Sequence, residues 1–108
     1  MSTGRNDGGA LAVACSLTTP ELRARRAEIL AFVRAHLAER RQLPNGLGLR
    51  FAPDSSVIAR AAELMDAERQ CCPFLELRLT VTSDRGPVWL ELTGPEGTRE
   101  FLSRELGL

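Results

Sequence analysis

Cys71 and Cys72 stand side by side in the run E-R-Q-C-C-P-F-L, and a third cysteine, Cys15, lies far upstream in A-V-A-C-S-L. Adjacent cysteines rarely form a relaxed disulfide with each other, because the short ring strains both the backbone and the sulfur geometry. Two neighbouring thiolates can instead share one large, soft ion, and sulfur ligands select copper(I), zinc and similarly thiophilic ions. With Cys15 as a third sulfur, the set becomes a three-thiolate metal site for arsenic(III), mercury(II) or copper(I), or for zinc with a fourth ligand. A directly adjacent pair departs from the usual structural zinc pattern, in which a short spacer separates the cysteines. His36 is the lone imidazole. It falls late in the first predicted helix while Cys15 precedes the opposite end, so the two are not expected to share an ion.

The same residues admit two other readings. A thiol-dependent enzyme acting on an organometal or redox substrate needs a base beside its cysteine, and a chain without tyrosine or lysine offers Glu63 and Glu68. Glu68 precedes Cys71 by three positions, so the two share a helix face. No complete catalytic triad is visible. Alternatively, the domain is a protein-interaction module whose cysteines are small buried hydrophobes packed under Pro73 and Phe74, with Glu68 in a surface ion pair. Arg69 is expected to favour a nearby thiolate, against the negative end of the helix that carries it.

These side chains must be positioned by the elements around them. Thr18-Thr19-Pro20-Glu21 starts a helix with a threonine cap, proline in the first turn and capping-box spacing from Thr18 to Glu21. Leu22, Ile29, Leu30, Val33 and Leu37 form its apolar stripe, and the helix is predicted to reach about Ala38. Arg40 to Leu43 is a weak strand, Asn45-Gly46 a tight hairpin turn, and Leu47, Leu49 and Phe51 the inward side of a second strand. Asp54-Ser55-Ser56 caps a second helix that Pro73 ends near Gln70 or Cys71. Leu75 to Thr82 alternates as a third strand, Val88 to Leu92 as a fourth, and Gly94-Pro95-Glu96 opens a short third helix. The order α-β-β-α-β-β-α predicts an α+β fold, a small, mainly antiparallel sheet of about four strands covered on one face by helices. Trp89, Arg78 and Arg50 fall on the opposite sheet face, where a solvated surface is favoured over a protein contact and a protein contact over nucleic acid.

Composition sets the outer limits. The chain has 108 residues, with 14 basic residues balancing 14 acidic ones, and every basic residue is arginine. Zero net charge argues against partners held mainly by phosphate backbones or anionic membranes. The absence of lysine excludes Schiff-base and lysine-base chemistry. Residues 1–9 read as a mobile leader and residues 10–108 as one domain. The segment from Ala10 to Cys15 has the small residues of a lipoprotein processing site but lacks the long apolar stretch of an export signal, and no run approaches the ~20 apolar residues of a membrane span. The expected setting is a reducing cytoplasm, where metal-bound or reactive thiols outrank disulfides. The expected partners are a metal or metalloid ion and, on the protein side, a second protein or a second copy.

Taken together, A-C-S-L, E-R-Q-C-C-P-F-L and V-W-L-E-L-T-G-P-E-G resemble a group of small bacterial cysteine-containing proteins, and are similar to the domain behind the DNA-binding part of some mercury-resistance-type regulators. The resemblance spans about residues 13 to 103 and is most specific at Glu68 with Cys71-Cys72-Pro73-Phe74. It implies a metal-associated thiol domain with Cys15, Cys71 and Cys72 at its cysteine positions, and a role in heavy-metal response. No DNA-binding helix-turn-helix precedes the domain in this chain, which puts direct transcriptional control in doubt.

Overall fold

In the computed structural model, residues 19–107 are described. Cys15, the expected leader and Thr18 lie outside that range. Seven elements follow in the order α1 (Pro20–His36), β1 (Leu37–Leu43), β2 (Gly46–Phe51), α2 (Ser55–Cys71), β3 (Glu76–Val81), β4 (Val88–Thr93) and α3 (Thr98–Leu106). The fold is α+β, as its alternating periodicities predict. One antiparallel sheet has the strand order β1-β2-β4-β3, so the two hairpins meet through their second strands.

The register explains the core. Leu47, Leu92 and Leu77 form one row across the sheet, Leu49, Leu90 and Leu79 the next, and Phe51, Val88 and Val81 a third. All the β2 and β4 members of these rows are buried, as are Ile29, Leu30 and Val33 of α1, Val57, Ala61 and Leu64 of α2, and Phe101, Leu102 and Leu106 of α3. Each helix therefore turns its apolar stripe toward the same sheet face. Burying a side chain of this size is worth about 1.5–3 kcal/mol against conformational entropy of comparable size, so the layer stands by many such contacts acting together.

Local signals were right in kind and shifted in place. The α1 cap is Thr19, whose hydroxyl accepts the Leu22 N–H at 3.1 Å, and Pro20 is the first helical residue. The helix ends at His36 and passes straight into β1, which begins earlier than the Arg40 that alternation suggests. In the first hairpin the two turn residues are Pro44 and Asn45, and Gly46 already pairs with Leu43 and Thr93 inside the sheet. Gly46 is needed for space, because a Cβ there would lie 1.9 Å from the Leu92 carbonyl oxygen. The third helix begins at Thr98, after a turn through Gly94 to Gly97, with Gly97 as N-cap at φ 95°.

Candidate metal centre

Helix α2 carries the site at its C-terminal end. Asp54 caps its start, with the side chain accepting the Ser56 N–H at 2.8 Å, and Val57, Ala61, Leu64, Glu68 and Cys71 then recur at three- and four-residue steps on the buried face. Cys71 is the last helical residue and Cys72 the C-cap, whose N–H donates to the Glu68 carbonyl at 2.7 Å. Pro73 disfavours helical geometry at Cys72, which adopts φ −130° and ψ 73°. The chain then turns, with the Leu75 N–H donating to the Cys72 carbonyl at 3.0 Å, and Phe74 packs edge-on against Phe101 of α3 with ring centres 5.3 Å apart.

Glu68, Cys71 and Cys72 are all fully buried, at 0% exposure. Their ligand-type atoms lie within 4.8 Å of one another, a cluster that could hold a metal ion. The two sulfurs are 3.6 Å apart, and the Cys71 thiol donates to Glu68 Oε2 at 3.4 Å. Two sulfurs bound tetrahedrally to one zinc-sized ion at ~2.3 Å lie roughly 3.8 Å apart, so the observed separation needs little adjustment to accept one.

A buried carboxylate requires compensation, and it comes from Arg26 of α1. Nε donates to Oε2 at 2.5 Å and Nη2 donates to Oε1 at 3.0 Å, a bidentate pair whose arginine side chain is 8% exposed. The third guanidinium nitrogen, Nη1, lies 3.8 Å from Glu105 of α3. The guanidinium thus touches acidic partners on both other helices and places a fixed positive charge beside Glu68 Oε2, the oxygen that Cys71 also contacts.

Arg26 is the residue that sequence reasoning missed. It sits on the α1 stripe between Leu22 and Ile29, as Glu68 sits on the α2 stripe between Leu64 and Cys71. Opposite charges at inward positions of two helices are the sequence signal of a buried pair. Glu68 accordingly pairs with an arginine in the interior and not at the surface. Arg69, expected beside the sulfurs, points outward at 67% side-chain exposure and pairs with Asp66 at 2.8 Å. Glu63 pairs with Arg60 at 3.0 Å. His36 is exposed, stacked on Phe32 at 4.0 Å, and does not belong to the cluster. Neither sulfur is at the surface, so Cys71 and Cys72 do not bridge subunits in this conformation.

The opposite sheet face carries mainly surface pairs. Arg50 Nε donates to Glu39 at 2.9 Å, Arg78 Nε donates to Glu76 at 3.0 Å, and the Arg41 guanidinium lies 4.5 Å above the Trp89 ring. Hydrogen bonding from Arg50 holds the exposed Glu39 carboxyl below its ordinary pKa. No helix of the described residues is long and apolar enough to cross a membrane. Comparison of the chain with protein-family models, with curated proteins and with solved structures finds no match in any of the three.

Proposed function

We propose that the protein captures or senses a thiophilic metal or metalloid ion, with Cys71 and Cys72 as two ligands and Cys15 as the third. One observation carries this reading: two buried sulfurs, 3.6 Å apart, sit beside a carboxylate already balanced by an arginine. Ion binding requires the sulfurs to release protons, and the Cys71 thiol already donates a hydrogen bond to Glu68 Oε2 at 3.4 Å. Arg26 keeps that carboxylate from adding an uncompensated charge to the interior. The likeness of Glu68 and Cys71 through Phe74 to the domain of mercury-resistance-type regulators supports the same chemistry, and a cytoplasmic location would keep the thiols reduced.

The thiol-enzyme reading rests on the 3.4 Å contact between Cys71 and Glu68, but the complete burial of both sulfurs favours holding a small ion over attacking a larger substrate. Native mass spectrometry of the reduced chain after exposure to zinc, copper(I), mercury(II) and arsenite tests the proposal. The expected result is one retained ion per chain, abolished by Cys71→Ser with Cys72→Ser and weakened by Cys15→Ser. Retention of none of the four overturns the reading, and full retention by Cys15→Ser removes Cys15 from the site.

A further inference from the structure

The sheet has two outer edges, and their chemistry differs. On β1, the helix-side positions opposite Leu49 and Leu47 are Arg40 and Gln42, both exposed. A charged residue turned toward the core side of an edge strand discourages a further strand from adding there. On β3 the equivalent positions are Leu77, Leu79 and Val81; the first two are only half-buried, and Val81 is 55% exposed. Among the described residues no strand pairs with the outer edge of β3. Beside it, Ala62 and Met65 of α2 join Leu77 in a shallow, mainly apolar groove of about 410 Å³, bordered by Asp66 and Arg69.

We infer that β3 pairs antiparallel with β3 of a second copy of this chain, about a two-fold axis passing at Leu77. The charge pattern selects both partner and register. Residues facing each other across such an axis lie on the same side of the sheet, and like charges placed directly opposite are unfavourable. An axis at Arg78 sets two arginines against each other. An axis at Leu77 instead brings Glu76 opposite the partner's Arg78 and Arg78 opposite the partner's Glu76. Leu77 then meets its own counterpart, and Leu79 meets the partner's Leu75. In the isolated chain Glu76 and Arg78 satisfy each other along the strand at 3.0 Å, so dimerisation exchanges that pair for two equivalent ones. The two four-stranded sheets become continuous, and the two α2 helices lie side by side over the junction, closing the groove at Met65. This surface does not depend on the proposed metal site.

Sedimentation velocity of the full chain under reducing conditions, over a concentration series, tests the inference. The expected result is a shift from the 11.8 kDa monomer to a species of twice that mass. Arg78→Glu places like charges opposite each other and is expected to weaken association about tenfold. The exchanged variant Glu76→Arg with Arg78→Glu restores the complementarity and is expected to recover the native dimer. A monomer at every concentration up to millimolar overturns the inference, as does a dimer indifferent to Arg78→Glu or an exchanged variant that fails to associate. Should the single variant not fold, comparison of the exchanged variant with the native chain decides.

Discussion

Arg26 and Glu68 are held together by two hydrogen bonds and both are buried, so replacing Glu68 alone leaves the guanidinium without its bidentate partner. Breaking such a pair from one side typically costs about 3–5 kcal/mol, whereas replacing both members with apolar residues of similar volume is often neutral. Glu68→Leu should therefore lower the urea midpoint sharply, and Arg26→Met with Glu68→Leu should recover most of the loss. If the double variant loses the sum of the losses seen in Glu68→Leu and in Arg26→Met, the pair carries no such coupling. At this scale the sequence was half legible. The vicinal cysteines and Glu68 announce themselves by spacing, but an arginine among fourteen reads as surface until its place on the apolar stripe is weighed against an acid on another stripe. Cys15 lies outside the described residues, so its part in the site rests on chemistry and resemblance.

Helix α2 shows how an element inherits its limits from a few terminal residues. The Asp54 carboxyl is held below its ordinary value of 3.8, first by its side-chain hydrogen bond with Ser56 and then by the Ser56 backbone N–H. Since the folded pKa lies below the unfolded one, the cap's contribution is complete above that ordinary value and is lost as the pH falls through the lower folded value. Thermal melts should show Asp54→Asn keeping most of the cap at neutral pH while losing this acid dependence, and Asp54→Ala losing the cap at both. An Asp54→Asn protein with the native acid profile would place the dependence elsewhere. Caps and Pro73 fixed the extent of α2 within a residue because they act locally. The Asn45-Gly46 turn was misplaced because Gly46 answers to Leu92 on a distant strand, a constraint that nearest neighbours in the chain do not reveal.

For the molecule as a whole, the α+β class followed from switching periodicities, whereas the strand order did not, since alternation shows which side of a strand is buried and not which strand lies next to it. The order places β2 and β4 inside and leaves β1 and β3 as edges. Amide hydrogen exchange should accordingly be slowest in β2 and β4. The edges should differ from each other: β3 is expected to gain protection as concentration rises, while β1 does not, and equal behaviour of the two would separate the sheet edges from any self-association. A last consequence concerns time. Cys71 and Cys72 have no exposed surface, and the hydrogen bond from Cys72 to Glu68 belongs to the final turn of α2. Any reagent reaching these sulfurs must await the opening of that turn or of the layer packed on it, and any ion bound there must leave the same way. Residence would then be governed by how often the fold opens, giving the site a memory longer than its ligand chemistry alone would provide.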